Sequence, residues 1–181
     1  MRRPVDAARI RRFMRELGGE AERDVRLYFT GGATAVLLGW RTGTIDVDVV
    51  DVKMEPETDR LFRAFPRLKD KLEINVELAS PDQFIPELSD WRDRSAFIAQ
   101  EGRLSFYHYD FYSQALAKIQ RGHAQDRDDV RQMIDRGVID RRELRQRFEE
   151  IEPHLYRFPA IDPAAFRRAV EEAIEIEEIE T

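Results

Sequence analysis

The stretch FTGGATAVLLGWRTGTIDVDV, residues 29–49, decides how this chain folds. An apolar strand predicted over 25–30 ends at two consecutive glycines, Gly31 and Gly32. A short helix of small and apolar residues is predicted to follow over 33–40. Backbone N–H groups at a strand-to-helix turn attract phosphate, so this turn is a candidate phosphate-binding segment. A glycine pair alone is a weak signal, because such pairs are common in turns.

Two carboxylates lie on the next predicted strand, residues 45–52, at Asp46 and Asp48. Strands seldom carry Asp, and side chains two residues apart on a strand point to the same face. Paired carboxylates bind hard cations through oxygen, so the pattern predicts a site for Mg²⁺, or Mn²⁺, beside a triphosphate. The alternative is a strand face that is merely polar and exposed. Three apolar neighbours are predicted to face the core instead: Ile45, Val47 and Val49.

The other members of this candidate site are predicted from neighbouring segments. Residues 72–79 alternate between apolar and polar side chains, which is typical of a strand with one buried face. Glu77 is the candidate third acid, with a merely solvated strand face as the alternative. Thr34 and Arg41 are expected to contact phosphate, and Thr44 is expected to orient the acid-bearing strand. The polar face of the predicted strand carries Glu73, Asn75 and Glu77.

Composition excludes several classes of site. The chain has 181 residues, no cysteine and three widely separated histidines, so disulfides, thiolate zinc sites and cysteine nucleophiles are excluded. A net charge of −6 argues against a generally basic nucleic-acid binder. No apolar run is long enough to span a membrane, so we expect a cytoplasmic protein without a membrane partner. One helix still offers a local basic face for RNA: Arg9, Arg11, Arg12 and Arg15.

The expected fold class is α/β (α+β), a mixed sheet flanked by helices and followed by a C-terminal helical segment. Residues 1–110 are expected to form the sheet-containing core, and residues 111–181 a helical segment packed on it. Asp126, Asp140 and the pair Asp162-Pro163 mark predicted helix starts in that segment. Further elements are predicted over 6–17 and 57–65, as helices, and over 104–109, as a strand.

Two blocks of sequence resemble a known superfamily. The patterns G-G-x-T-A at 31–35 and R-x-G-T-x-D-V-D at 41–48 resemble the nucleotidyltransferase superfamily of the DNA polymerase β type. Within it, the chain resembles minimal, AbiEii-like nucleotidyltransferase toxins. Residues 110–130, DFYSQALAKIQRGHAQDRDDV, resemble a helix pair of that family, with a lysine ahead of an Asp-Arg-x-Asp cluster. The resemblance places Lys118 at the triphosphate-binding lysine, followed by the acids Asp126 and Asp129.

This resemblance implies a fold and an activity. The fold would be that of a nucleotidyltransferase. The activity would be metal-dependent transfer of a nucleoside monophosphate from an NTP to a hydroxyl of RNA, protein or a small molecule. Asp46, Asp48 and Glu77 would be its catalytic and metal-binding acids. The protein would be the toxin of a toxin–antitoxin pair, with a cognate antitoxin as partner. The alternative is a catalytically inactive module of the same fold that binds nucleotide, RNA or a protein.

Residues of the second block also have roles that require no ligand. Lys118 borders the apolar arc of its predicted helix and could simply extend along the edge of the core. Asp126 and Asp129 occupy the cap and third positions of a predicted helix, where carboxylates satisfy free N–H groups and favour the helix dipole. These alternatives stay open at the level of sequence.

Overall fold

The computed structural model describes residues 4–50 and 56–175, which divide into two units. The first unit contains the residues up to Ser80 together with Ser95–Tyr109. The second contains Pro81–Arg94 and the residues from Asp110 onward. All strands of the described chain belong to the first unit, and the second unit is helical.

A five-stranded mixed sheet organises the first unit, which confirms the predicted fold class. Its strands are β1 (Val25–Thr30), β2 (Asp46–Val50), β3 (Asn75–Leu78), β4 (Ala96–Glu101) and β5 (Leu104–His108). They are arranged in the order β3-β2-β1-β5-β4. Strand β1 is parallel to β5 and antiparallel to β2, β2 is parallel to β3, and β4 is antiparallel to β5. The acid-bearing strand β2 therefore lies between the strand that precedes the glycine pair and the strand that carries Glu77.

Three helices accompany this sheet: α1 (Ala7–Gly18), α2 (Gly31–Leu37) and α3 (Pro56–Leu72). Asp6 caps α1 as its position predicts, since its side chain accepts a hydrogen bond from the backbone N of Arg9 at 2.9 Å. The guanidinium of Arg9 in turn donates to the carbonyl oxygens of Leu72 and Glu73, at 2.7 and 2.5 Å. Arg9 therefore links α1 to the end of α3.

The core lies between α1, α3 and one face of the sheet. Val47 and Val49 are fully buried in it, as predicted. Ile45 is 54% exposed, contrary to prediction, because β2 begins at Asp46 and Ile45 precedes the strand. The aromatic rings at the centre of this core are Phe13, Phe29, Phe65 and Phe106. Since strand side chains alternate, Asp46 and Asp48 lie on the opposite face of the sheet.

Helix α3 is longer than predicted, and β3 is shorter. The predicted helix ended at residue 65, but Leu68 and Leu72 continue its buried stripe, and the helix accommodates Pro66. Glu73 then adopts a left-handed φ of 52°, which ends the helix two residues before β3 begins. The end of the helix and the start of the strand both contain apolar residues. Alternation alone therefore placed the start of the strand at residue 72, within the helix.

The second unit consists of helices whose starts carry clear capping signals. They are α4 (Trp91–Arg94), α5 (Phe111–Arg121), α6 (Ala124–Asp135), α7 (Arg141–Ile151) and α8 (Pro163–Glu175), with 3-10 turns at Pro81–Gln83 and Glu152–Arg157. Asp140 and Asp162 accept backbone hydrogen bonds at the starts of α7 and α8, as predicted. Helix α6 begins at Ala124 rather than at Asp126.

The end of the predicted acid-bearing strand, residues 51–52, lies outside the described residues, as do residues 176–181 of the predicted helical segment. No helix among the described residues is both long enough and apolar enough to cross a membrane.

Candidate active site

The glycine pair brings side chains of β2 and the preceding loop against the start of α2. Gly31 has a left-handed φ of 60°, and a Cβ added to it would overlap Oδ2 of Asp48. A Cβ on Gly32 would overlap Oγ1 of Thr44 and lie 2.8 Å from its Cβ. Both positions therefore need glycine, for backbone conformation at the first and for close approach at both.

Asp46 and Asp48 lie half-buried on one face of β2, as the i, i+2 spacing predicts. The register pairs Asp46 with Asn75 and Asp48 with Glu77 on β3. On its other side, Asp48 pairs with Thr30, the residue before the glycine pair. The three predicted acids thus occupy neighbouring positions of one sheet face, close to the start of α2.

Asn75 connects two of these acids and received no role from sequence reasoning. Its Nδ2 donates to Oδ1 of Asp46 at 2.6 Å and to Oε1 of Glu77 at 2.7 Å. Asn75 is only 9% exposed, whereas Glu77 is exposed. Its place two residues before Glu77 on the predicted polar face was the available signal.

The donor chemistry of this face fits a hard cation. Asp46, Asp48 and Glu77 offer carboxylate oxygens, which Mg²⁺ and Mn²⁺ prefer over nitrogen or sulfur ligands. Among residues 4–50 and 56–175, no three or more acidic or histidine side chains converge as they would around a bound ion. Asp46 and Glu77 are instead held by the amide of Asn75. The residues for a metal are present, and in this arrangement an amide connects two of them.

Thr34 supports α2 from the interior. It is fully buried, and its Oγ1 lies 3.1 Å from Nδ1 of His108 and 3.5 Å from the carbonyl oxygen of Phe29, to which it donates. Burial lowers the pKa of His108 to about 4, and the positive charge of Arg11 acts in the same direction. His108 is therefore neutral at physiological pH. The structure gives the Thr34 hydroxyl interior partners, where sequence reasoning expected a phosphate contact.

Arg41 and Thr44 both lie beside the second glycine. The Nη1 of Arg41 is 3.6 Å from the position that a Cβ of Gly32 would occupy. Thr44 donates through Oγ1 to the carbonyl oxygen of Asp46 at 2.9 Å. Its backbone also pairs with Val5 through two hydrogen bonds of 2.7 and 3.0 Å. These contacts fix the segment that leads into the acid-bearing strand.

A second cluster of predicted residues lies within the helical unit. The Nζ of Lys118 donates to Oδ2 of Asp129 at 2.6 Å and to Oδ1 of Asp126 at 3.4 Å. Arg121 also donates to both carboxylate oxygens of Asp126, at 2.7 and 3.2 Å. Lys118 is 4% exposed, so it does not extend along the edge of the core toward solvent. The aspartates face these two cations, and the N-cap position of α6 is occupied by His123, whose side chain makes no capping hydrogen bond.

A buried ion pair at the start of α5 was not singled out from sequence. Asp110 is fully buried and accepts from Nε and Nη2 of Arg94, each at 3.1 Å. The same carboxylate caps α5 by accepting from the backbone N and the hydroxyl of Ser113. Its position just before an amphipathic helix was a capping signal, but a partner sixteen residues upstream leaves no local pattern.

A known protein family matches nearly the whole chain. A family model described as a nucleotidyltransferase of unknown function (DUF6036) matches residues 8–175, a range that contains every candidate site residue named above. No curated protein and no solved structure matches the chain. Since the family model covers nearly the whole sequence, the chain belongs to the DUF6036 nucleotidyltransferase family.

Proposed function

We propose that this protein is a metal-dependent nucleotidyltransferase that moves a nucleoside monophosphate from an NTP to a hydroxyl acceptor. The observation that carries the proposal is the single sheet face on which Asp46, Asp48 and Glu77 neighbour the start of α2. The family description supports the same class of reaction.

Asp46 and Asp48 would hold Mg²⁺ or Mn²⁺, with Glu77 completing the set of acids. A cation bound there would neutralise phosphate charge and favour ionisation of the attacking hydroxyl. The backbone at Gly31 and Gly32 and the guanidinium of Arg41 would hold the phosphates. The chain's own contribution is then mainly positioning and charge complementarity, which dominate phosphoryl-transfer catalysis.

The reaction would exchange one phosphoester bond for another. The acceptor oxygen forms a bond to the α-phosphorus of the NTP, and the bond from that phosphorus to the bridging oxygen breaks. Pyrophosphate leaves, and the hydroxyl proton is released to water. Glu77 is the exposed acid of the set, so it is suited to position the incoming hydroxyl.

Lys118 would bind the triphosphate. This role is proposed because its helix pair resembles the one that carries the triphosphate-binding lysine in the superfamily. Asp126 and Asp129 would then act by holding the ammonium in place. The acceptor would be RNA, a protein or a small molecule. A toxin role, with a cognate antitoxin as partner, also rests on that resemblance.

The experiment that tests the activity is incubation with each α-³²P-labelled NTP, Mg²⁺ and either total RNA or total protein. Transfer predicts label in one acceptor fraction and stoichiometric release of pyrophosphate. The matched control is the double variant Asp46→Asn/Asp48→Asn, which should transfer nothing. Absence of both label and pyrophosphate with the wild-type protein, across all four NTPs and both acceptor pools, would exclude RNA and protein as acceptors; absence of pyrophosphate with an added small-molecule cell extract as well would contradict the proposal.

A second candidate function is nucleotide or partner binding without catalysis. It is favoured because, among residues 4–50 and 56–175, no three or more acidic or histidine side chains converge into a metal-binding group. Such a module would bind an NTP in calorimetry and release no pyrophosphate. An RNA-binding role would instead show steep salt dependence without a need for NTP.

A further inference from the structure

Asn75 occupies a special position among the candidate acids. It is the first residue of β3 and the register partner of Asp46, and it precedes Glu77 by two residues on the same face. An amide nitrogen carries two hydrogens. Both are used in this structure, because Nδ2 of Asn75 donates to Oδ1 of Asp46 at 2.6 Å and to Oε1 of Glu77 at 2.7 Å.

This arrangement addresses an electrostatic problem. Like charges on neighbouring positions of a sheet face repel one another. A donor placed between two carboxylates offsets that repulsion through charge-assisted hydrogen bonds, and an amide does so without adding a charge of its own. Lysine at this position would neutralise part of the site, and aspartate would add a further negative charge.

The hydrogen bonds also fix the orientation of the two carboxylates. Each acid is held through one of its two oxygens, and a carboxylate held in this way can coordinate a cation through the other. Groups that orient ligands by hydrogen bonding commonly raise metal affinity, and their loss costs about 10–100-fold. Asn75 is only 9% exposed, so packing around the strand restricts the motion of its amide.

We infer that Asn75 is a positioning residue that holds Asp46 and Glu77 in place for the cation. This inference rests on the proposed function for its metal, but the holding of the two acids in the metal-free protein is a claim of its own. Gly31 leaves room for the third acid, Asp48, beside α2. Asn75 orients the other two.

The test uses Asn75→Ala and Asn75→Asp in the full-length protein. The control is Leu78→Ala, which removes a 46% exposed side chain from the same strand without touching the acids. Mn²⁺ affinity is measured by electron paramagnetic resonance, and melting temperature is measured with and without Mn²⁺. Both Asn75 variants should melt at a lower temperature than wild type without metal, Asn75→Asp by more. Asn75→Ala should raise the Kd for Mn²⁺ about tenfold or more, whereas Leu78→Ala should not change it.

A swapped pair keeps the test decisive if Asn75→Asp folds poorly. The double variant Asp46→Asn/Asn75→Asp conserves the number of carboxylates and restores one amide beside one acid. It should recover the metal-free melting temperature lost in Asn75→Asp, but not the wild-type affinity for Mn²⁺.

Loss of the metal site and loss of the holding role of Asn75 give different results. If wild-type protein binds no Mn²⁺, the proposed metal site is wrong, and recovery of stability in the swapped pair still supports the holding role of Asn75. If wild type binds Mn²⁺ and Asn75→Ala binds it equally well, the positioning role is overturned and the proposed function stands. If the swapped pair recovers no stability, the holding role is overturned.

Discussion

The carboxylate of Asp48 rests against Gly31, in the space that the side chain of any other residue at position 31 would fill. Gly31 also has a φ of 60°, in the left-handed region. The glycine is therefore required by the acid beside it as well as by the turn it makes. This relationship links the two halves of the most informative stretch of sequence, the glycine pair and the acid pair.

Gly31→Ala should separate metal-dependent activity from stability. Left-handed backbone costs alanine about 1–2 kcal/mol, and the added methyl should push the Asp48 carboxylate out of position. Gly137→Ala is the matched control, because Gly137 has a φ of 66° and nothing within 4 Å of an added Cβ. Urea unfolding should show comparable losses for both variants, and only Gly31→Ala should lose nucleotide transfer. Equal activity in the two variants would show that the position of Asp48 does not matter.

Gly32 is a less selective probe than its neighbour. A side chain there would strike both Oγ1 and Cβ of Thr44, and Cβ cannot move without the backbone. We therefore expect Gly32→Val to lower the melting temperature as well as NTP binding, measured by differential scanning and titration calorimetry on the same preparations. If Gly32→Val keeps the wild-type melting temperature and loses NTP binding, the backbone at Thr44 moves at little cost in stability.

Asp46→Asn/Asp48→Asn should abolish Mg²⁺-dependent transfer and leave the fold intact. Removing two like charges from one strand face lowers repulsion, so the metal-free melting temperature should stay the same or rise. An asparagine at 46 keeps an oxygen that can accept from Asn75, which preserves the hydrogen bond to β3. Circular dichroism melting and pyrophosphate release on the same samples check both parts. Unchanged transfer by a folded double variant would exclude these acids from catalysis.

The sequence predicts the acid and glycine positions because both signals are local. Asp46 and Asp48 lie on one strand with fixed two-residue alternation, and Gly31 and Gly32 sit where a strand meets a helix. The same locality explains the predicted starts of α1, α7 and α8, since a cap acts within three residues.

The contacts that sequence reasoning missed join distant segments. Thr34 meets His108 across 74 positions of the chain, and Asn75 meets Asp46 across 29. Strand β4 was missed for a different reason. It lies at the edge of the sheet, and its Phe97 is 60% exposed. Apolar and polar residues therefore do not alternate between a buried and an exposed face in this strand. Alternation of apolar and polar residues predicts a strand that has one buried face, so it does not detect an edge strand whose apolar side chains are exposed.

The buried pair of Thr34 and His108 should make stability depend on pH. The pKa of His108 falls from 6.5 to about 4 on folding, so the unfolded chain binds more protons between these values. The contribution of neutral His108 to the free energy of unfolding is present above pH 6.5. It decreases as the pH falls from 6.5 toward 4 and is lost below pH 4. The difference should be about 2 kcal/mol between pH 7 and pH 5. Urea unfolding of wild type and His108→Gln at both pH values isolates this contribution, and identical pH dependence of the two proteins would refute it.

Lys118→Met should destabilise the helical unit, because it leaves the buried carboxylates of Asp126 and Asp129 without their ammonium partner. Removing one member of a buried ion pair typically costs about 3–5 kcal/mol. A lysine at the edge of the core would have tolerated the same change. Lys118→Arg keeps a cation and should retain most of the stability, as measured by urea unfolding.

Nucleotide binding then separates a structural lysine from a phosphate ligand. A lost charge-assisted contact is worth about 1.5–3 kcal/mol, so Lys118→Met should lower NTP affinity about ten- to a hundred-fold. Lys118→Arg should rescue it only in part, because a planar guanidinium does not replace a compact ammonium. The control is Arg121→Met, which removes a cation from Asp126 in the same cluster and should leave NTP affinity close to wild type. Titration of each folded variant with Mg²⁺-NTP measures these effects. Equal affinity in wild type and Lys118→Arg, together with equal losses in Lys118→Met and Arg121→Met, would assign the whole cluster to holding α5 and α6 together.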